Sequence, residues 1–133
     1  MRVVGCFLEY DGKFVILLRH AHKPNGGTWG LPAGKVENDE PDIEAMLREL
    51  REETGYEAAV SEMEYVREDE FQFDKDPPFI FVVYKVKLSR PYEMVMESAA
   101  HQECRWIDPK SCYDLPNLIP GFKKVLELTE YVK

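Results

Sequence analysis

The stretch GKVENDEPDIEAMLRELREETGY occupies residues 34–56, and its spacing decides how the rest of the chain is interpreted. Gly34 is followed after five residues by Glu40, and after seven more begins a dense cluster. That cluster consists of Arg48, Glu49, Leu50, Glu52, Glu53 and Gly55. On a helix over residues 41–54, at about 100° per residue, the last three glutamates fall on one face. The spacing therefore predicts a helix that presents three carboxylates together, to solvent or to a cleft.

Carboxylates this close together repel one another, and like charges three or four residues apart destabilise a helix by a few tenths of a kcal/mol per pair. A hard divalent cation, Mg²⁺ or Mn²⁺, offsets that repulsion because it takes carboxylate oxygens and keeps water and phosphate oxygens as further ligands. Pairing with Arg48 and Arg51 gives partial relief. A solvated acidic helix face is the plain alternative. Gly34 precedes the helix and Gly55 stands where a left-handed cap is expected, so the two glycines make the helix part of a loop-helix-loop.

The same stretch resembles the Nudix box, G-x5-E-x7-R-E-U-x-E-E-x-G-U, where U is a bulky aliphatic residue. Every fixed position is met except the last, where Tyr56 keeps a large apolar body. The resemblance implies that metals are held by Glu49, Glu52, Glu53 and the backbone carbonyl of Ala33. It implies that these residues support the site: Gly34, Glu40, Arg48 and Gly55. Of the two roles open to Arg48, we favour an ion pair that orients a box glutamate over substrate contact.

The remaining pattern predicts one domain over residues 1–133, a length that suits one compact core. Strands are predicted at 3–8, 13–19, 58–64, 79–88 and 105–107, with a hairpin turn at Asp11-Gly12. A closing helix is predicted at 121–132, and Asp39 or Glu40 is expected to cap the helix of the box. The fold class is α+β, and the resemblance implies an α/β/α sandwich with a mixed β-sheet. Residues 66–78 are predicted as a loop, either a lid or an exposed connector.

Charge and cysteine content narrow the setting in which the chain works. The net charge is −8, of which −5 lies in residues 34–56, so extended binding to nucleic acid is not expected. No apolar stretch of the sequence is long enough to span a bilayer, and residues 1–12 are expected to form a first strand, not a signal peptide. Three cysteines without CxxC spacing fit free thiols in a reducing cytosol, and Cys6 is expected in the core. We therefore expect a cytoplasmic protein that binds a small molecule.

The resemblance implies hydrolysis of a nucleoside diphosphate linked to another group, by in-line attack of water with cations as cofactors. Glu49, Glu52 and Glu53 are then catalytic, and the general base is either one of them or a glutamate on a distant loop. Residues 100–106 match E-H-x-E-x-x-W except that Ala100 replaces the first glutamate, which leaves Glu103 or Glu97. We favour Glu103. Among cations, Arg19 and Lys35 are candidates to meet a substrate phosphate, with plain surface charges as the alternative.

Two other functions stay open. The first is a non-catalytic Nudix-like sensor of nucleotides, which an intact box disfavours. The second is a diphosphate isomerase of related fold, which needs a catalytic cysteine in a motif that we do not find. Within the hydrolases, we expect a nucleoside triphosphate, oxidised or not, or a small nucleotide conjugate as substrate. The resemblance allows a monomer or a homodimer.

Overall fold

The computed structural model describes residues 1–95 and 100–133. Its strands are β1 (Arg2–Tyr10), β2 (Lys13–Arg19), β3 (Trp29–Gly30), β4 (Ala33–Lys35), β5 (Glu64–Phe71), β6 (Phe79–Lys87) and β7 (His101–Ile107). Its helices are α1 (Asp42–Thr54), α2 (Pro109–Tyr113) and α3 (Phe122–Leu128), with a 3₁₀ turn at Val60–Glu62. In these two ranges, no helix has the length and apolar character that a bilayer crossing requires.

The strands form one mixed sheet with the order β3-β2-β1-β6-β5. β1 runs parallel to β6 and antiparallel to β2, which it meets at Glu9 and Tyr10. Further along, β1 pairs with β4 at residues 3–5, while β2 pairs with β3 and with β7. This arrangement places the short strand β4, at the start of the box, directly beside the central strand.

Alternate side chains of the central strands feed two cores, one on each face of the sheet. One core joins Val4, Cys6 and Leu8 of β1 to Met46 and Leu50 of α1. The other core includes these residues: Phe7, Phe14, Ile16, Trp29, Phe122 and Leu126. Helices therefore cover both faces of the sheet, which confirms the predicted α+β class and the α/β/α layering. Cys6 is fully buried, as predicted.

The first hairpin is confirmed by its backbone geometry. Asp11 and Gly12 both have positive φ, at 52° and 75°, which is the conformation of a tight two-residue hairpin turn. The strand at 79–88 is also confirmed, as β6, and the helix of the box is confirmed as α1. The last strand begins at His101, four residues earlier than predicted, because its pairing with β2 extends to Arg19.

The predicted strand at 58–64 is wrong, and the predicted loop at 66–78 is wrong over residues 66–71 but confirmed over residues 72–78. The Glu62 carboxylate accepts hydrogen bonds from the Ala59 N–H (2.8 Å) and the Tyr56 hydroxyl (2.6 Å), and these local bonds close a 3₁₀ turn instead of a strand. Residues 66–71 of the predicted loop belong to the edge strand β5, which pairs with β6, while residues 72–78 connect the two strands. The many charged residues of β5 concealed the strand, and such charges protect a sheet edge from pairing with other chains.

Two predicted helix boundaries also need correction. α1 has Pro41 as its N-terminal cap residue, without a side-chain cap, so the expected capping by Asp39 or Glu40 is wrong. The Glu40 carboxylate is engaged by Arg48 and by the Glu37 N–H instead. The closing helix is α3, which ends at Leu128 and not at 132. The short elements α2, β3 and β4 were not predicted.

Candidate active site

The box helix is held against the sheet by both apolar and ionic contacts. Ala45, Met46 and Leu50 of α1 are fully buried against the core that includes β1. Near the start of α1, the Arg2 guanidinium donates to both oxygens of Asp42, at 3.0 and 2.6 Å. At the other end, Gly55 adopts φ of 78° and caps the helix in the left-handed conformation that the sequence predicts. The helix therefore presents its glutamates from a fixed support.

Helical periodicity allows Glu53 to face either solvent or a cleft. In the structure Glu53 is buried, with 6% of its surface exposed. Its Oε1 accepts a hydrogen bond from the Ala33 N–H at 2.8 Å, because β4 lies across this face of the helix. Burial, followed by the negative charge of Glu49, raises the pKa of Glu53 well above its usual value. A carboxyl group in this position retains a proton more readily than an exposed one.

Glu49 is also buried, with 9% exposed, and its carboxyl group lies within hydrogen-bonding distance of that of Glu53. Burial raises the pKa of Glu49, while Arg48 acts in the opposite direction. Arg48 Nη1 donates to Glu49 Oε1 at 2.7 Å. On the other side, a Cβ built onto Gly34 would collide with the Glu49 carboxylate. The glycine that opens the box is therefore required by the close approach of this side chain.

Arg48 forms the ion pairs that its expected supporting role requires. Its Nε and Nη2 donate to the two oxygens of Glu40, each at 3.0 Å, and Nη2 also donates to the Lys35 carbonyl at 3.2 Å. The hydrogen bond with Arg48 is the main cause that lowers the pKa of Glu40. The Arg48 guanidinium thus joins the loop before α1 to Glu49. Arginine can bond both oxygens of one carboxylate, as Arg48 does at Glu40, whereas lysine cannot.

Glu52 stands apart from the other two box glutamates. Its side chain is 48% exposed, and its nearest ionic partner is Arg48 Nη1 at 3.7 Å. Within residues 1–95 and 100–133, no three Asp, Glu, His or Cys side chains are grouped closely enough to hold a metal ion together. The structure thus brings Glu49 and Glu53 together beside Ala33, and it leaves Glu52 at the rim.

The other expected site residues are distributed unevenly. Lys35 is exposed at the end of β4, where its carbonyl accepts from Arg48. Glu103 pairs with Arg105 at 3.3 Å, and no contact joins it to a box glutamate in the described part of the chain. On β7, Cys104 and Trp106 pack towards the core that includes α1, so Glu103 projects to the opposite face. Glu97, the alternative to Glu103, lies outside the described residues.

A cavity of about 230 Å³ opens at Ala33, and it was not predicted from the sequence. Ala33, which donates to Glu53, is part of its lining. The opposite wall consists of aromatic side chains: Phe71, Phe73, Phe79 and Phe81. The alternation of phenylalanines on either side of the acidic turn at 74–76 was the signal that could have indicated one aromatic face of a hairpin.

Arg19 and His101 provide the polar side chains of this cavity. The Arg19 Nε donates to the Pro24 carbonyl at 2.8 Å. Burial, with a smaller contribution from Arg19, lowers the pKa of His101 to about 4, so the imidazole is neutral near pH 7. Its Nδ1 is buried and has no hydrogen-bond partner among the described residues. Arg19 thus lines the cavity beside an uncharged histidine.

The sequence model of the Nudix domain family matches residues 1–128 of this chain. The chain belongs to the Nudix family. It is similar to the CTP pyrophosphohydrolase of Escherichia coli (strain K12), with 45% identity over 47% of this chain and 46% of that protein. The chain thus matches less than half the length of that relative. Phosphatase NudJ of the same strain is 29% identical over 86% of this chain and 72% of its own length.

The fold is shared with Nudix structures as well. The crystal structure of a MutT protein from Methanosarcina mazei Go1 superposes with a TM-score of 0.80, covering 98% of this chain and 92% of that one at 24% identity. The relatives are named as hydrolases, and this protein is an enzyme of that Nudix hydrolase class.

The one departure from the Nudix box has a structural explanation. Tyr56 stacks edge-on against Tyr92, with ring centroids 5.1 Å apart, and its hydroxyl donates to Glu62. Tyr92 in turn donates to the Thr54 carbonyl at 3.3 Å, and the Val95 N–H donates to the same oxygen at 2.9 Å. An aliphatic residue at position 56 would fill the space without the polar contact. The segment after β6 is therefore fastened to the end of the Nudix helix.

The donor set suits the divalent cations that Nudix hydrolases generally use. Glu49 and Glu53 are buried carboxylates side by side, each with its pKa raised, and in this chain Arg48 is the cation beside them. Such a pair is costly unless a proton or a cation compensates it. Magnesium is commonly held by one or two carboxylates, with water and phosphate oxygens completing the shell. The residues present therefore fit a hard divalent cation.

Proposed function

We propose that this Nudix protein hydrolyses a diphosphate linkage in a nucleoside diphosphate derivative, with a nucleoside triphosphate, oxidised or not, or a small nucleotide conjugate as substrate. The observation that carries the proposal is the buried pair Glu49 and Glu53 beside a cavity that shares Ala33 with it. The similarity to a CTP pyrophosphohydrolase supports a triphosphate over other nucleotides. The products would be a nucleoside monophosphate and pyrophosphate.

Glu49 and Glu53, with the Ala33 carbonyl and with Glu52 at the rim, would hold Mg²⁺ or Mn²⁺. When bound, the cation supplies charge neutralisation at the diphosphate oxygens and lowers the pKa of the attacking water. The protein contributes the geometry. Arg48 is held by Glu40 and donates a hydrogen bond that fixes Glu49. The N–H of Ala33 fixes Glu53. Arg19 and Lys35 would supply positive charge to the substrate phosphates, from the cavity and from β4 respectively.

In the proposed reaction, the water oxygen forms a bond to phosphorus as the bridging P–O bond breaks in line, and the water gives up a proton. A box glutamate is the better supported acceptor of that proton. The Glu53 carboxyl group is fixed by the Ala33 N–H, whereas Glu103 is paired with Arg105 and is not among the residues that line the cavity. We therefore revise our preference for the general base from Glu103 to the box, with Glu53 as the first choice.

We also propose that residues 1–133 work as one domain in the cytoplasm on a small nucleotide. Three free cysteines, Cys6, Cys104 and Cys112, support a reducing compartment. The single sheet shared by both cores supports one folding unit.

The proposal is tested by incubating the protein with nucleoside triphosphates, 8-oxo-dGTP, ADP-ribose, diadenosine polyphosphates and nucleotide sugars, with Mg²⁺ or Mn²⁺ and with or without chelator. We expect metal-dependent release of pyrophosphate from a triphosphate, and chelator should stop it. Cleavage of another class would keep the hydrolase and correct the substrate. Tight nucleotide binding without turnover on any substrate would contradict hydrolysis and favour a sensor.

A further inference from the structure

The wall of the cavity is an aromatic surface that the protein core does not use fully. Phe71, Phe73, Phe79 and Phe81 are all partly exposed, and their rings form a chain of contacts with centroids 6.0 to 6.3 Å apart. Phe71 and Phe81 pack against the core that includes α3, but Phe73 and Phe79 do not appear in either core. Clustered apolar side chains exposed around a concave site usually mark a ligand-binding surface.

The Phe73 ring contacts Gly121, and both residues line the cavity. A Cβ on Gly121 would lie 2.7 Å from the end of the Phe73 ring, so the ring rests against a residue without a side chain. Gly121 has φ of 91°, a conformation that side chains rarely adopt, and it immediately precedes α3. The tip of the hairpin between β5 and β6 therefore meets the start of α3 through one aromatic ring.

Polar groups are scarce where a nucleobase edge would have to be recognised. Of the lining side chains, Arg19 and His101 are the polar ones, and the others are apolar or lack a side chain. A base presents three or more donors and acceptors, and burying them without partners is costly. The faces of the ring can meet the phenylalanines while its edge stays towards the open side of the cavity. Ring stacking tolerates different bases because every base has a π-face.

We propose that this cavity holds the flat ring at the organic end of the substrate by its faces, that the Phe73 ring packs against it, and that the protein selects an aromatic base with little discrimination among bases. The inference rests on the proposed function, since that function makes the cavity the place for the organic end of a substrate whose phosphates lie at Glu49 and Glu53. To that function it adds the requirement that the substrate carry an aromatic base, and it names Phe73 as the residue that selects for this base. Gly121 is the positioning residue that leaves room for the Phe73 ring.

The binding test uses metal-free protein in chelator, so that hydrolysis plays no part. Cytidine, uridine, adenosine, guanosine and ribose are titrated, and chemical shifts of the cavity residues are followed by NMR. We expect the nucleosides to bind within about three-fold of one another and ribose not to bind, as stacking predicts. Phe73→Leu, which keeps apolar volume but removes the ring, should weaken nucleoside binding by about ten-fold. Tyr65→Leu is the matched control, because Tyr65 is an exposed aromatic residue of β5 outside the cavity lining.

Kinetics provide a second measurement with triphosphates and Mg²⁺. Phe73→Leu should raise KM for every nucleoside triphosphate by about ten-fold and leave KM for ribose 5-triphosphate unchanged. Its melting temperature should stay close to that of the wild type, since Phe73 packs in neither core. A preference above about ten-fold for one base, as edge recognition would give, would overturn the inference. So would equal effects on ribose 5-triphosphate, or no effect of the substitution.

The two proposals fail separately. Nucleosides that bind in the cavity without any nucleotide being hydrolysed would refute the proposed function and leave this inference standing. Nucleotides that are hydrolysed while nucleosides leave the cavity residues unperturbed would refute the inference alone.

Discussion

The carboxylate of Glu49 lies against the backbone of Gly34, so close that a Cβ atom at position 34 would collide with it. The first glycine of the Nudix box is therefore part of the glutamate's binding surface. Its backbone has no positive φ, so conformational freedom is not the reason for glycine here. This contact yields the first prediction.

Gly34→Ala should displace the Glu49 carboxylate and lower kcat/KM by about 10- to 100-fold, as expected when a group that orients a metal ligand is disturbed. The overpacked methyl group should lower the free energy of unfolding by about 1–3 kcal/mol. Steady-state kinetics at saturating Mg²⁺ and urea unfolding measure the two effects. Gly12→Asn serves as control, because position 12 is open and asparagine tolerates its positive φ. Wild-type activity of Gly34→Ala would mean that Glu49 is not a ligand in this position.

Glu53→Gln should reduce turnover by at least about 100-fold while leaving the protein folded. The amide oxygen can still accept from Ala33, and the substitution removes a negative charge buried beside Glu49. We therefore expect the free energy of unfolding near pH 8 to stay the same or to rise. Kinetics and urea unfolding are measured on both proteins. Glu44→Gln, an exposed change on the same helix, is the control for charge alone.

The stability of the metal-free protein should fall as pH rises above the ordinary glutamate range. The folded-state pKa of Glu53 is raised above 4.5, so in that window the folded protein binds more protons than the unfolded chain. The free energy of unfolding then decreases with pH, by up to about 1.4 kcal/mol per pH unit for one such group. Urea unfolding in chelator from pH 5 to 8 measures the slope. Glu53→Gln should flatten it, and an equally steep slope in that variant would assign the effect to other groups.

Arg48→Lys keeps the positive charge but loses the paired hydrogen bonds to Glu40. Because Arg48 and Glu40 are only partly buried, we expect a modest loss of about 0.5–1.5 kcal/mol, or a few degrees in melting temperature. Activity should fall further than stability suggests, since Glu49 loses its fixed partner. Thermal unfolding and kinetics, with Arg51→Lys on the exposed side of the helix as control, separate the two effects. If both variants lost activity and stability equally, Arg48 would have no orienting role at Glu49.

Local patterns predicted the elements whose cause is local. The Asp11-Gly12 turn and the left-handed Gly55 depend on backbone conformations that neighbouring residues do not alter, and both were predicted correctly. Helical periodicity placed Glu53 on a shared face but could not show that β4 would cover that face, so its burial was missed. The stacked phenylalanines were missed for a similar reason. Their alignment depends on the pairing of β5 with β6, which the charged composition of β5 concealed.

The ring contact between Tyr56 and Tyr92 predicts how these two positions vary among related proteins. Tyr56 departs from the aliphatic residue of the Nudix box, and Tyr92 both packs against it and bonds to the Thr54 carbonyl. Substituting either tyrosine alone would leave a cavity beside the ring of the other. We therefore expect the two positions to covary among relatives, with an aliphatic residue at the first accompanied by loss of the aromatic ring at the second.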